Sequence, residues 1–350
     1  MWWAADVARE KGIPRAMYWI QPATMLAVYY GYLHGDFERH VAEHAGEPGF
    51  EVALPGLPPM AIRDLPSFFT DLADRRLAAA FHGVRRTVEQ VDIDRRIGEK
   101  PIVLVNTVEE LESDVIAAAF PDLEILAVGP AIGDGNATSP PSKKANDMYE
   151  HDEKAYMEWL DGKAAGSVVY VSFGSMSATS KRQKEEIRRG LAAAARPFLW
   201  VVRRDDRDGD DDLAVDQVNG MVVEWCDQVR VLAHAAVGCF VTHCGWNSTL
   251  ESVVSGTPVV AAPQWSDQDT NARLVEGWGV GVHAATGGDR VLEGDELARC
   301  VEKVMGQTEE AAAIRRSSIA WKATVEKTVA PGGSSERNLK AFLDRIANVA

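Results

Sequence analysis

The chain has 350 residues, 46% of them hydrophobic and 25% charged, an ordinary globular balance with length enough for two domains. Its 52 acidic residues against 37 basic ones leave a formal net charge of -15, and no basic block stands out, which argues against nucleic acid or an anionic membrane as partner. No apolar stretch reaches the ~18 residues of a membrane-spanning helix. Four cysteines, Cys226, Cys239, Cys244 and Cys300, read as reduced thiols of a cytoplasmic protein. Cys226, Cys239, His243 and Cys244 invite a zinc reading, but they lack a C-x2-C pair. The acidic run DDRDGDDD, residues 205–212, reads as a solvated loop, because its spacing is not that of a calcium loop and no glutamate closes it.

In chain order, MWWAAD opens directly into a helix over 4–11, with neither cap nor turn before it. A strand over 13–20 and an amphipathic helix over 22–40 follow. A proline-rich loop, LPGLPPMAIRDLP at 54–66, leads to a helix over 71–91. A strand over 101–106, a helix over 108–120 and a strand over 123–128 close the first half. Three strands behind so abrupt a start make an incomplete domain, so the chain is expected to begin in mid-domain. Residues 133–146, GDGNATSPPSKKAN, are a linker by composition. A partial N-terminal domain over 1–132, a linker over 133–150 and a C-terminal domain over 151–350 result, with the last helix free to cross back. The second half predicts strands over 167–173, 198–202, 221–225, 237–242, 258–262 and 279–284, and helices over 180–195, 247–255 and 267–276. Valine-rich runs alternating with helices indicate a parallel sheet covered on both faces.

The strongest local signal is THCGWNSTLE, residues 242–251, where a strand ends and a helix begins. The first turn of such a helix offers backbone N–H groups and the positive end of its dipole, a cradle for a diphosphate. Gly245 lets the backbone come close, Asn247 and Ser248 add donors, and His243 can donate to a phosphate oxygen. The same residues also fit an ordinary helix start, since Asn247 is a good N-cap and Ser248 with Glu251 spells a capping box. The segment alone leaves both readings open.

The surrounding sequence separates them. Residues 225–268, WCDQVRVLAHAAVGCFVTHCGWNSTLESVVSGTPVVAAPQWSDQ, closely resemble the signature of the plant family 1 UDP-glycosyltransferases in length, order and spacing. The resemblance extends to YMEWLDGKAAGSVVYVSFGSMS at 156–177 and GGSSERNL at 332–339. AADVARE at 4–10, WIQPAT at 19–24 and LPGLPPMAIRDLPSF at 54–68 resemble the anthocyanidin 5-O-glucosyltransferase branch. The resemblance implies an α/β chain of GT-B type, two Rossmann-like parallel-sheet domains with the N-terminal one incomplete. It implies UDP-glucose-dependent, inverting, metal-independent glucosyl transfer to a small acceptor such as a flavonoid or anthocyanidin. UDP-glucose is then a co-substrate, no cofactor is needed, and a monomer is expected.

Carried over by position, the resemblance gives Trp225 to the uracil ring. The Cys226 backbone and the Gln228 side chain read base and ribose, and Glu251 accepts from the ribose hydroxyls. His243, Asn247, Ser248 and Ser175 hold the diphosphate, with the helix N-terminus and His243 supplying the positive field. Trp246, Asp267 and Gln268 face the sugar, a terminal Gln going with glucose. Asp227 departs from the usual proline of this motif. The family's catalytic base is a histidine, oriented by an aspartate that precedes the segment matching residues 2–10. Neither position exists in this sequence, so the catalytic residues stay unassigned, and His34, His40, His44 and His82 read as solvent-facing or packing groups. The chain by itself is therefore expected to transfer sugar poorly, and the alternative reading is a catalytically inactive UDP-sugar-binding fragment. A dinucleotide-dependent oxidoreductase is remote, because no G-x-G-x-x-G follows the first strand.

Overall fold

The computed structural model describes residues 2–13, 15–34, 36–70, 75–96, 100–132, 153–175, 179–203, 219–287 and 289–349. The acidic run at 205–212 and the linker at 133–150 lie outside them. The first elements are α1 Trp2–Glu10, β1 Met17–Trp19, α2 Ala23–Leu33, α3 Phe37–Glu43, β2 Glu51–Val52, β3 Met60–Ala61, α4 Ser67–Thr70 and α5 Arg75–Arg96. Then come β4 Ile102–Val105, α6 Ser113–Ala118 and β5 Glu124–Ala127. The second half runs α7 Glu153–Asp161, β6 Val168–Ser172, α8 Lys181–Ala194, β7 Phe198–Val201, β8 Gly220–Val223, α9 Gln228–Leu232 and β9 Val237–Thr242. It continues with α10 Trp246–Ser255, β10 Val259–Ala261, α11 Gln268–Gly277, β11 Gly281–His283, α12 Gly294–Met305, α13 Glu309–Val329 and α14 Ser334–Val349. Among the described residues no helix is long and apolar enough to cross a membrane.

The chain divides into two compact units that are discontinuous in sequence. One comprises Met1–Ala131, Trp265–Thr270 and Thr324–Ala350, and the other Ile132–Gln264 and Asn271–Ala323. Composition places 265–270 and 324–350 in the second domain, whereas their packing groups them with the first. For the C-terminal stretch the contacts are specific. Ser335 Oγ donates to the Gly129 carbonyl at 2.5 Å and Asn338 Nδ2 to the Ala127 carbonyl at 2.9 Å, which lays α14 along β5.

In the first unit the parallel sheet has the order β1-β4-β5, with β1 at an edge. Its aromatic core centres on Tyr29 of α2, whose ring lies within 6.4 Å of the rings of Trp19, Phe68, Phe69 and Phe81. Two expectations change here. The helix expected over 22–40 is two helices, α2 and α3, separated at His34, which takes an extended conformation with φ −131° and ψ 130°. The proline-rich loop carries half of an antiparallel hairpin, β2 with β3. Its turn passes so close to α6 that a Cβ on Gly56, where φ is +74°, would lie 2.5 Å from the Asp114 carbonyl oxygen.

The second unit holds a six-stranded, all-parallel sheet of order β11-β10-β9-β6-β7-β8. The centre strand β6, VVYVS, is buried along its whole length. Successive side chains of a strand face opposite ways. Val169 and Val171 accordingly pack with Ile187 and Leu191 of α8 and Leu297 and Val301 of α12, while Val168 and Tyr170 pack with Tyr156, Leu160 and Val231 on the other face. Glycine lets α8 and α12 touch: a Cβ on Gly190 would lie 2.7 Å from the Gly294 carbonyl oxygen. From β6 the chain builds outward through β7 and β8, then returns to place β9 on the other side of β6. That reversal is the topological switch point of an open parallel sheet, the place at the carboxyl ends of the strands where such sheets bind ligands.

One carboxylate organises the first unit. Pro22 precedes α2 and makes no side-chain cap bond, so the first N–H groups of that helix need another acceptor. Glu112 supplies it from 88 residues away: its carboxylate accepts from Thr24 N at 2.8 Å, Thr24 Oγ1 at 2.7 Å and Ala23 N at 2.9 Å, and from the Thr107 hydroxyl. Burial pushes the Glu112 carboxyl up, and the bonds from Thr107, Thr24 and Ala23 oppose that rise. Removing the carboxylate with Glu112→Ala is expected to cost ~1–3 kcal/mol for each buried donor left without a partner. Glu112→Gln, which keeps one acceptor oxygen, should cost less. Urea unfolding read through tryptophan emission checks this, and an unshifted midpoint for the alanine variant would remove Glu112 from the account of α2.

Candidate donor-nucleotide site

The register of β6 with β9 pairs Ser172 with Thr242, so the segments that leave these strands emerge side by side. One is Phe173-Gly174-Ser175 and the other His243-Cys244-Gly245. Between them the half-buried imidazole of His243 is held by glycine on both sides. A Cβ on Gly174 would lie 2.6 Å from its Cε1, and a Cβ on Gly245 would lie 2.5 Å from its Nε2. Burial lowers the His243 pKa to about 4. The ring is neutral at pH 7, so the positive field expected of it reduces to a hydrogen bond from one ring nitrogen, and the charge-like part belongs to the start of α10.

The start of α10 answers the capping question. Its N-cap is Gly245, which has no side chain to offer, and neither Asn247 nor Ser248 fills that position. The preceding Cys244 takes φ +60°, an uncommon conformation for a non-glycine residue, and its carbonyl is held by Asn271 Nδ2 at 2.9 Å. The capping box fails as well, because the Glu251 carboxylate is turned to Gln228 instead of its own helix start. Where the sheet helices α8 and α9 are capped by Ser180 and Asp227, α10 opens on glycine at the switch point. Asn247 is exposed on its first turn, Ser248 is buried, and Ser175 is exposed across from them at the end of β6.

Opposite α10 stands α9, a five-residue helix that sequence periodicity is too short to register. Asp227 is its N-cap, accepting from Arg230 N at 3.2 Å and donating its own N–H to Tyr156 at 3.0 Å. The departure from proline thus builds a cap. Gln228, the first residue of α9, donates from Nε2 to Ser248 Oγ at 2.9 Å and to Glu251 Oε2 at 2.5 Å. Its Oε1 accepts from the Tyr170 hydroxyl at 3.0 Å. Desolvation raises the Glu251 pKa to about 7; the Gln228 bond lowers it and the charge of Asp227 raises it further. Trp225, half-buried, leads from β8 into α9, and Cys226 beside it is buried with Sγ 3.2 Å from the Tyr170 hydroxyl.

The structure therefore brings Ser175, Trp225, Cys226, Gln228, His243, Asn247, Ser248 and Glu251 to one end of the second sheet. Trp246 is buried with its ring 6.3 Å from that of Trp278. Asp267 and Gln268, at the start of α11, pack with the first unit. Both are buried, and Gln268 Oε1 accepts from Trp265 N at 3.1 Å. All four cysteines are buried free thiols, and among the described residues no three His, Cys, Asp or Glu side chains gather as a metal site.

The histidines of the first unit are engaged elsewhere. His34 Nε2 lies 2.8 Å from Asp92 Oδ2 and its Nδ1 2.6 Å from the Tyr30 carbonyl, so both ring nitrogens face acceptors. His44 is stacked on Phe50 at 3.5 Å and bonded to Glu47. His40 and His82 are exposed. Sequence reasoning missed Tyr170, whose hydroxyl sits in the middle of the buried centre strand; a buried phenol there has to find a partner, and that requirement was the available signal.

Comparison with known proteins agrees with this geometry. The family model "UDP-glucoronosyl and UDP-glucosyl transferase" matches residues 144–326, just over half of the chain. The chain is 42% identical to a crocetin glucosyltransferase described as chloroplastic from Gardenia jasminoides, over 98% of this chain and 73% of that protein. It is 41% identical to anthocyanidin 3-O-glucoside 5-O-glucosyltransferase 1 of Perilla frutescens, over 99% and 75% of the two chains. Among solved structures, Os79 of O. sativa in complex with UDP superposes with a TM-score of 0.79 at 29% identity, covering 98% of this chain and 75% of that one. Phytolacca americana UGT2, complexed with UDP-2fluoro-glucose and pterostilbene, gives 0.79 at 28% identity, covering 99% and 74%. The chain spans about three quarters of the length of these relatives. With a cradle at the switch point, a family match across that cradle and relatives above 40% identity, the chain belongs to the plant family 1 UDP-glycosyltransferases and has their α/β, GT-B fold.

Proposed function

We propose that the chain takes UDP-glucose as donor and glucosylates a hydroxyl of a small plant metabolite such as a flavonoid or anthocyanidin. Transfer is a single in-line displacement at the sugar C1 with inversion, without metal or cofactor, by a monomer in the cytoplasm. The observation that carries this reading is the paired exit of β6 and β9 onto the uncapped start of α10, faced by the Gln228–Glu251 pair. Trp225 offers its indole to the uracil, and the Cys226 backbone reads the base beside it. Glu251 accepts from the ribose hydroxyls, and Gln228 holds that carboxylate. The N-terminus of α10, Asn247, Ser248, Ser175 and the neutral His243 donate to the diphosphate, stabilising the charge that grows on the leaving UDP. Trp246, Asp267 and Gln268 are assigned to the sugar. The acceptor class follows relatives named for crocetin, anthocyanidin 3-O-glucoside and phloretin.

A second reading, UDP-sugar binding without transfer, is favoured by the histidines. His34 has both nitrogens occupied and none of the other described histidines of the first unit is buried beside a free carboxylate, so a general base is unassigned. Such a base contributes typically ~10²–10⁴-fold. Incubating the chain with UDP-glucose and a flavonoid panel decides: glucoside formation supports the first reading, and UDP binding without product supports the second.

Two substitutions test the donor assignments. Trp225→Ala removes the stacking surface and should weaken UDP by ~1–3 kcal/mol, as base–aromatic contacts do; calorimetry giving equal affinities would cancel the uracil assignment. Gln268→His should move the preference from UDP-glucose toward UDP-galactose with UDP affinity nearly intact, since an amide paired with a buried hydroxyl is worth ~1–3 kcal/mol. Competition between the two sugar nucleotides measures that preference, and an unchanged ratio refutes the role.

A further inference from the structure

Beneath the nucleotide cradle runs a directed chain of hydrogen bonds. The Gln228 amide nitrogen donates to Glu251 Oε2 at 2.5 Å, the direction that an ionised carboxylate requires. Its two protons are then spent on Glu251 and on Ser248 Oγ, 2.9 Å away. Gln228 Oε1 must accept, and the donor beside it is the Tyr170 hydroxyl at 3.0 Å. Tyrosine has one proton, so the Cys226 thiol, 3.2 Å from the same oxygen, donates to it. Tyr170 is 1% exposed, and its ring is stacked on Phe240 at 4.9 Å. The phenol is pushed well above its ordinary range by burial first and by Cys226 next, so it remains a donor.

We propose that Tyr170 is a positioning residue: its hydroxyl fixes the orientation of the Gln228 amide, and through it the Glu251 carboxylate that takes the ribose. The assignment rests on the donor-site reading above. An amide of Gln has two faces that fit the same space. Without the hydroxyl, Oε1 loses its donor, and a turned amide presents oxygen to Glu251 and to Ser248. Glu251 would then be repelled from the position in which its free oxygen meets the ribose hydroxyls. Tyr170 thereby sets ribose recognition without touching the nucleotide.

Tyr170→Phe removes one oxygen and keeps the ring. The wild-type chain and this variant are titrated with UDP and with 2′-deoxy-UDP, and thermal midpoints are recorded for both. Wild type should prefer UDP about fivefold or more, the worth of one buried hydrogen bond. Tyr170→Phe should lose most of that preference by weakening UDP, with 2′-deoxy-UDP affinity within about twofold of wild type. Gln228→Leu should show the same collapsed ratio, and adding Tyr170→Phe to it should change the ratio no further. Equal affinity of the wild type for the two nucleotides sinks the ribose reading of the site itself. A wild-type ratio in Tyr170→Phe, an equal loss for both nucleotides, a failure of that variant to fold, or an additional loss in the Gln228→Leu background overturns the positioning role.

Discussion

The parallel pairing of β6 with β9 is the constraint on which the rest of this site depends. It is made mostly by apolar residues, buried throughout β6 and over the last four residues of β9, and it places Ser172 beside Thr242 at the carboxyl edge of the sheet. Everything that follows those residues inherits the spacing. His243 is held between Gly174 and Gly245 because the two chain exits are adjacent, and α10 starts at the edge of the sheet because the turn at Cys244 and Gly245 redirects the chain there. A one-residue slip of β9 would send every one of its side chains to the other face of the sheet. The hydrophobic core thus fixes the geometry of groups that contribute little to that core.

Polar groups in this cradle are oriented by other polar groups in a dry setting. Hydrogen bonds there are stronger than in water, and an unmatched one costs correspondingly more. Glu251 shows both sides: desolvation raises its pKa to about 7, and the donated bond from Gln228 pulls in the opposite direction. A ligand that brings two hydroxyl donors to such a carboxylate favours its charged form. His243 runs the other way, since burial lowers its pKa to about 4 and leaves it neutral. An imidazole packed this closely between two glycines has little room to turn.

Much of this was legible in the sequence. The β9 strand over 237–242 is as read, and β6, β10, α8 and α10 differ from their expected spans by at most one residue at each end. Long valine-rich runs and capped amphipathic helices state their own limits. The failures have physical causes. Helix periodicity continues smoothly through residues 22–40, but His34 is drawn into extended geometry with its ring bonded to Tyr30 and to Asp92, a residue 58 positions away. Strands of two residues, β2 and β3, have no period to detect. α9 is a single turn and a half, set by the Asp227 cap and by packing of Val231 and Leu232. Of the candidate site, the residue types and their order were readable, but the amide network of Gln228 was not, because its partners come from β6 and α10. The capping box at Ser248 and Glu251 was a local pattern that tertiary contacts overrode.

The same logic explains why two units can share one chain without sharing a contiguous sequence. Residues 324–350, the end of α13 with α14, are held to the first unit by bonds from Asn338 and Ser335 to the carbonyls of Ala127 and Gly129, and from Thr328 and Ser334 to Glu110. Residues 265–270 join the first unit through Ser266 N to Ser67 Oγ at 2.7 Å and Thr270 Oγ1 to the Asp64 carbonyl at 2.8 Å. Asp267 and Gln268 lie inside that second stretch. The polar bonds of Ser266 and Thr270 thus hold the stretch that carries Asp267 and Gln268, while Trp246 packs in the second unit at the start of α10. A substitution at Ser67 removes the hydroxyl that accepts from Ser266 N, whereas one at Asp64 leaves the backbone carbonyl that accepts from Thr270 in place.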